Sequence, residues 1–141
     1  MSNRFFLALL IAASSLAGCG SSSDKLYPVT GRVLLKDRKP VAGAIVEFSS
    51  LAGHGARART NPDGTFTITS GGKPGALPGA YRVAVIQMLV IDGAGSHSKA
   101  HHAPLVLNPK YARFESSGLE YEVKPDRDNV YELILDSAAQ R

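Results

Sequence analysis

The chain has 141 residues, a formal net charge of +4, one cysteine, no tryptophan, 14 glycines and 8 prolines. A single cysteine excludes an internal disulfide framework and a multi-thiolate zinc site, and this length sets an expectation of one domain that buries its own core. A hydrophobic fraction of 44% excludes both a polytopic membrane protein and a mainly disordered chain.

Arg4 is the only charged residue before Cys19, and Phe5 to Ala13 form an unbroken apolar run. That run is about half of the ~20 residues a helix needs to cross a ~30 Å hydrocarbon core. It has the length of a signal-peptide hydrophobic region rather than of a permanent span. Ser14 and Ser15 follow, then Leu16-Ala17-Gly18-Cys19. This tetrapeptide resembles the bacterial lipobox. The resemblance implies recognition of Leu16, Ala17 and Gly18 by a lipoprotein signal peptidase, cleavage before Cys19, and acylation of the Cys19 sulfur with palmitate-type chains. Two or three acyl chains anchor stably where a single one binds marginally. An ordinary secretory signal that happens to contain a cysteine is the competing reading. The lipobox reading makes residues 1–18 a signal peptide and residues 19–25 a lipidated N-terminus with a polar tether. It places the protein in the cell envelope, anchored to a membrane. Gly20 after the cysteine, in place of Asp, resembles the enterobacterial sorting pattern, and the resemblance implies the outer membrane, facing the periplasm or the cell surface, over the inner one. The six residues Gly20 to Lys25 span ~13 Å as a coil. The folded domain is expected over residues 26–136, with a tail over 137–141.

From Pro28 onward a period of two dominates. Val29, Gly31, Val33 and Leu35 share one face of a first strand. After the polar stretch Lys36-Asp37-Arg38-Lys39, the residues Ala44, Val46 and Phe48 share a face of a second, and the two segments together are expected to form a hairpin. Arg57 to Thr60 reads as a short edge strand with its arginines outward. Asn61-Pro62-Asp63-Gly64 is a turn signal, with proline presetting φ and glycine taking the left-handed position. Thr65 to Thr69 alternates, with Phe66 and Ile68 inward. A breaker-rich loop, Gly71 to Gly79, precedes the strand Tyr81 to Gln87, which the apolar residues Met88 to Ile91 extend. Leu119 to Val123 alternates again; a turn from Pro125 to Asn129 leads to Tyr131, Leu133 and Leu135 as a last inward face. Short strands separated by turn signals indicate an all-β sandwich.

Pro28-Val29-Thr30-Gly31-Arg32-Val33, Lys39 to Phe48, Thr60 to Phe66 and Leu77 to Val83 carry the pattern V-x-G-x-V, P-V-A-G-A-x-V, T-x-x-D-G-x-F and L-P-G-x-Y-x-V. In this the chain resembles the carboxypeptidase regulatory-like domain, most distinctively from Pro28 to Gln87. With its lipobox and its Pro109-Lys110-Tyr111 segment it is similar to small lipoproteins of planctomycete-type bacteria. The resemblance implies a seven-stranded Greek-key β-sandwich of transthyretin or prealbumin type, following a cleaved signal peptide. Its motifs specify turns and core rather than chemistry: Gly31 and Gly43 are expected where backbones approach or bulge.

Little in the chain points to catalysis. His97 and His101 are spaced i, i+4, with His102 beside them, but Asp92 to Pro104 has no helical stripe and no His-Glu-x-x-His. The segment reads as a solvated loop or, in a minority reading, a weak metal carrier. The remaining histidine, His54, stands apart. Gly93-Ala94-Gly95-Ser96-His97 lacks the Gly-x-Ser-x-Gly elbow. The C-terminal Tyr-Arg-Gly-Ser signature of the transthyretin-like ureide hydrolases is absent. Lys73 is followed by proline, so Gly71-Gly72-Lys73 is no phosphate loop, and Asn61 to Gly64 lacks the later acidic ligands of a calcium loop. No enzyme, cofactor or metal is expected. Loss of Arg4 with the leader leaves 15 Lys and Arg against 12 Asp and Glu, a charge of +3. That balance, without a broad aromatic-bearing patch, speaks against nucleic acid. The Lys36, Arg38 and Lys39 cluster reads as a solvated tip, with contact to anionic headgroups as the alternative. The expected partners are the membrane through Cys19 and an envelope protein. A surface glycan is the alternative, weakened by the missing tryptophan. Residues 92–103 read as a mobile loop first and as a functional one second; if the protein binds a specific ligand, this loop with Tyr111 is the expected contact.

Overall fold

The structure, a computed structural model, describes residues 25–87 and 107–138. Leu16, Ala17, Gly18 and Cys19, the strand extension Met88 to Ile91, and His97, His101 and His102 lie outside the described residues. Nine strands occur among the described residues: β1 (Val29–Leu35), β2 (Ala44–Ser50), β3 (Gly55–Arg59), β4 (Thr65–Thr67), β5 (Thr69–Ser70), β6 (Lys73–Pro74), β7 (Gly79–Gln87), β8 (Leu119–Val123) and β9 (Asn129–Leu135). They form two sheets, a smaller one in the order β4-β1-β9 and a larger one in the order β6-β5-β3-β2-β7-β8. Among the described residues helix is confined to a 3-10 turn, Pro109–Ala112, and the single turn α1 (Phe114–Ser117). The molecule is therefore all-β and sandwich-like.

Alternation produces this arrangement. Val33 and Leu35 of β1, Val46 and Phe48 of β2, Val83 and Val85 of β7, Val123 of β8, and Leu133 and Leu135 of β9 all point between the sheets and are buried. Each such side chain contributes roughly 1.5–3 kcal/mol by leaving water. A one-residue slip of any strand would turn its whole set outward, so register is strongly specified. The expected strands Tyr81 to Gln87 and Leu119 to Val123 are present, the first beginning two residues earlier, at Gly79.

Two expectations are corrected. β1 and β2 do not form a hairpin: β1 pairs with β4 and β9, and β2 with β3 and β7. Each has one apolar face, and those faces meet across the core, so the segment from Lys36 to Gly43 carries the chain from one sheet to the other. Gly43 makes that crossing with φ +69°. The segment Thr65 to Thr69 is not one strand either. Phe66 lies in β4 beside β1, while Thr69 in β5 pairs with Arg57 of the larger sheet. Ile68, fully buried, sits where the chain changes sheets, and its amide donates to the Val29 carbonyl at 2.9 Å. Both side chains point inward as expected.

Gly31 lies at the crowded centre of the small sheet, opposite Phe66 on one side and Tyr131 on the other. A Cβ there would overlap the Tyr131 carbonyl oxygen and lie 2.5 Å from the Phe66 ring. Gly31→Ala is accordingly expected to destabilise the domain by about 1–3 kcal/mol, measured by urea and thermal unfolding. Gly55→Ala, where a Cβ meets nothing within 4 Å, should change stability by no more than about 0.5 kcal/mol.

Candidate functional site

Among the described residues no buried side-chain nitrogen or oxygen lacks a hydrogen-bond partner. The core of the described residues therefore holds no stranded polar group. A concavity lies on the outer face of the larger sheet. It is an open trough of about 560 Å³ lined by Glu47, Ser49, Arg57, Thr69, the Gly71-Gly72 turn and Phe114, together with parts of Phe48, Gly55 and Ala56. A second hollow of about 450 Å³ shares Glu47, Arg57 and Thr69 and adds Ile45, Arg59 and Ile86. The two run together along the sheet.

Strand pairing sets the floor. Glu47 of β2 stands opposite Arg57 of β3, and Arg57 in turn opposite Thr69 of β5. The expected outward alternation of Arg57 and Arg59 is present, with Ala56 and Ala58 buried between them. β3 is not an edge strand, because β5 covers its outer side through the Arg57–Thr69 pair. A carboxylate, a guanidinium and two hydroxyls thus line one shallow surface. They supply hydrogen-bond donors and acceptors side by side, next to one aromatic ring.

Phe114 is held there by the segment that precedes β8. Asn108 caps the 3-10 turn by accepting from the Lys110 amide at 3.0 Å, with Pro109 at the first position. Ser117 anchors the end of α1, its hydroxyl donating to the Val83 carbonyl at 2.6 Å and accepting from the Leu119 amide at 3.2 Å. Gly118 then stops the helix in the left-handed conformation, φ +66°. The 3-10 turn and α1 pack against β7, where the outward-facing Ala84 is 1% exposed.

Asp136 locks this segment to the end of β9. Its carboxylate accepts from Lys36 Nζ at 2.6 Å, Lys110 Nζ at 2.9 Å and the Tyr111 hydroxyl at 3.1 Å. Its amide donates to the same hydroxyl, and its carbonyl accepts from the Asn108 amide, both at 3.1 Å. The hydrogen bonds from Lys36, then Lys110, then Tyr111 hold the Asp136 carboxyl well below its ordinary range. The same contacts raise Lys36 and Lys110.

These contacts revise the functional reading of several residues. Tyr111 has a packing role: it is 5% exposed, its ring lies under the Lys110 ammonium, and its hydroxyl bonds Asp136. Lys36, Arg38 and Lys39 each form an ion pair, with Asp136, Glu132 and Asp37 respectively. In the Asn61 to Gly64 turn, Asp63 accepts from the Thr65 amide and hydroxyl at 3.0 and 2.6 Å, and Gly64 takes φ +80°. Among the described residues no group of three or more His, Cys, Asp or Glu is placed to hold a metal ion. The segment bearing His97, His101 and His102 leaves after Gln87 and returns at Leu107, whose amide donates to the Gln87 side-chain oxygen at 3.2 Å. Phe114 escaped the sequence reading because α1 is too short to show a helical stripe. Asn108-Pro109 before it and Gly118 after it were the available signals.

Comparison with protein-family models, with curated proteins and with solved structures finds no match to this chain.

A carboxyl held below its ordinary value of 3.8 binds protons more weakly in the folded state than in the unfolded one. It stabilises above that value, and the contribution is lost as pH falls through its lower folded value. Raised lysines stabilise below their ordinary 10.5 and lose the contribution as pH climbs past it. The cluster is therefore intact from about pH 4 to pH 10. Asp136→Asn keeps an acceptor for Tyr111 but removes the charge. It should lower Tm by a few degrees at pH 7 and flatten the loss of stability below pH 4, read by thermal unfolding across pH. Residual acid sensitivity should remain from Asp37 and Asp63, which are also held low.

Proposed function

We propose that the protein is a lipid-anchored bacterial envelope protein whose one β-sandwich is a non-catalytic structural or protein-binding module. The observation that carries the reading is how early in the chain the fold begins. Tyr27 is already paired with Ala76 through two backbone hydrogen bonds of 2.9 and 3.0 Å, so the described domain begins within a few residues of Cys19. Such a tether holds a domain close to a bilayer and leaves it little freedom to act elsewhere. The leader pattern supports attachment at Cys19, and Gly20 supports the outer membrane over the inner.

The finer fold reading, a seven-stranded Greek-key sandwich of the transthyretin-like, carboxypeptidase regulatory-like type, belongs to the same proposal. Seven of the described strands have three residues or more. The chain passes repeatedly between the sheets, β1 in one, β2 and β3 in the other, β4 back in the first, as Greek-key sandwiches do. The non-catalytic reading draws on the turn and packing roles of the prominent motifs. In addition to the Asn61 to Gly64 turn, Leu77-Pro78-Gly79 launches β7, and its Leu77 carbonyl accepts from the Tyr81 hydroxyl at 2.9 Å.

A surface glycan is the second reading, favoured by the trough alone. Phe114 offers a flat apolar ring to the C–H face of a sugar, and Glu47, Arg57, Ser49 and Thr69 offer partners for its hydroxyls.

Cys19→Ala should move the protein from the membrane fraction to the soluble fraction and abolish an acyl mass adduct on the N-terminal fragment. Unchanged membrane association without an adduct on the wild type would refute the anchor. For the glycan reading, Phe114→Ala should weaken retention on immobilised envelope polysaccharide by about 0.5–1.5 kcal/mol, about 2- to 12-fold. Equal retention of variant and wild type would dismiss the trough as a sugar site.

A further inference from the structure

Among the described residues the two sheets end in four strand edges, β4 and β9 on the smaller and β6 and β8 on the larger. Three of these edges are blunted. β6 is two residues long and contains Pro74, which has no N–H to offer. β4 has three residues. β8 carries Glu120 and Glu122 exposed, and its Glu122 carbonyl already accepts from the Tyr131 hydroxyl at 2.6 Å. Short strands, proline and charged side chains are the usual protections of an edge against pairing with another chain.

β9 has none of them. It is seven residues long and pairs with β1 alone. The Lys36 amide donates to the Leu135 carbonyl at 3.1 Å, so Leu135, Leu133 and Tyr131 turn their backbone groups toward β1. Asp136 faces the other way, where its amide and carbonyl meet the Tyr111 hydroxyl and the Asn108 amide, both at 3.1 Å. Val130, Glu132 and Ile134 share that outward direction. Among the described residues nothing pairs with their N–H and C=O groups. Two of the same residues also expose apolar side chains, Val130 at 69% and Ile134 at 46%, and no other described strand has a large apolar side chain so exposed.

The row Val130, Glu132, Ile134 reads nearly alike in both directions, which is what a two-fold axis asks of a strand that pairs with itself. Antiparallel pairing with Glu132 on the axis sets Val130 opposite Ile134 of a second copy, twice over, and gives every outward backbone group a partner. Leu34 neighbours Ile134 in the β1–β9 register, so the second copy's Val130 completes an apolar strip. Glu132 facing its own copy would be repulsive alone, but its compensation is built in. Arg38 Nη1 lies 2.8 Å from its carboxylate, and Arg32 is its register neighbour on β1, held only at 3.9 Å by Asp63. Arg38 reaches Glu132 from a backbone with φ +67°, which residues other than glycine rarely adopt. A foreign strand would have to match two apolar groups spaced about a neutralised acid; a second copy does so by identity.

We propose that the protein forms a two-fold dimer through β9, joining the two smaller sheets into one of six strands in the order β4-β1-β9-β9-β1-β4. The new ladder stops before Asp136, whose edge Asn108 has taken. The partner is a second copy of this chain, and the pairing does not depend on the anchor at Cys19. It is compatible with that anchor. The two copies of Val29 are displaced along the ladder by about six residues, ~20 Å, so both tethers reach one bilayer when the strands lie along it.

Disulfide mapping reads this register directly. Residues opposite each other in an antiparallel hydrogen-bonded pair have Cα atoms ~5.5 Å apart, within the span that a disulfide bridges. Full-length Glu132→Cys, kept in an excess of detergent micelles and oxidised with diamide, should dimerise at least about tenfold faster than Leu51→Cys, because a preformed pair reacts as one molecule. Leu51, 90% exposed, controls for chance collision. Val130→Cys should not cross-link, since its copy is displaced by four residues, ~13 Å. The double variant Val130→Cys with Ile134→Cys should. Wild type, whose sole cysteine is Cys19, sets the baseline. Light scattering, corrected for bound detergent, should give a dimer for wild type and a monomer for Val130→Lys with Ile134→Lys, whose side chains the core does not use. Glu132→Cys no faster than Leu51→Cys, Val130→Cys linking as readily as Glu132→Cys, or a monomeric wild type overturns the dimer and leaves the anchor standing.

Discussion

The parallel pairing of β1 with β9 is the constraint on which the rest of the molecule depends. It joins residues at opposite ends of the domain's sequence, from Val29↔Asn129 to Leu35↔Leu135, and no local turn can make it. Parallel neighbours require a long connection, and here the whole larger sheet is that connection. The pairing fixes which loops share an end: Pro28 is brought to Asn129, and the Lys36 amide to the Leu135 carbonyl at 3.1 Å. It also explains the demand for glycine at position 31, where β1 passes between Phe66 and the Tyr131 backbone with no room for a side chain. Contacts of such sequence separation form late and slowly, because chain closure must precede their reward.

A second consequence is a seam. β9 ends the smaller sheet and β8 the larger, so two strand edges face each other beside the core. Aromatic side chains fill the gap. Tyr121 and Tyr131 meet at a tilt of 52° with centroids 4.2 Å apart, and Phe48 lies 6.4 and 6.3 Å from them and 5.8 Å from Tyr81. The Tyr131 hydroxyl donates to the Glu122 carbonyl at 2.6 Å, binding the two edges where no ladder joins them. Burial raises the Tyr81, Tyr121 and Tyr131 phenols, which keeps them as neutral donors. Tryptophan is not needed for this packing, since four smaller rings share the volume.

What the sequence displayed and what it concealed follow the same physics. Local periodicity revealed the strands, because inward residues such as Val83, Val85 and Val123 repeat every second position and burial enforces it. The turn at Asn61 to Gly64 was visible because proline and glycine have backbone preferences of their own. Partnership was not visible. The Lys36 to Lys39 stretch looks like a hairpin tip because a sheet-crossing loop and a hairpin turn use the same polar residues. Ile68 looks like mid-strand because alternation continues unbroken while the chain changes sheets. Tyr111 looks like a surface aromatic because its burial depends on Asp136, far along the chain. The trough was hidden for that reason: its floor comes from β2, β3 and β5, and its aromatic wall from a single helical turn.

The charge count is the clearest case of position outweighing composition. By sequence, the densest basic run is Lys36 to Lys39, and it would be the natural choice for an anionic partner. In the fold each of its cations has a carboxylate within 2.8 Å, Asp136, Glu132 or Asp37, the first of them shared with Lys110. A carboxylate that already accepts from two ammonium groups and a phenol, as Asp136 does, is spent on holding the 3-10 turn and, through it, Phe114. Among the described residues the cations without an ion pair, Arg57, Arg59, Lys73, Arg82, Arg113 and Arg127, are scattered singly along the chain, where no motif would find them. Net charge measures how many groups there are; topology decides which remain available.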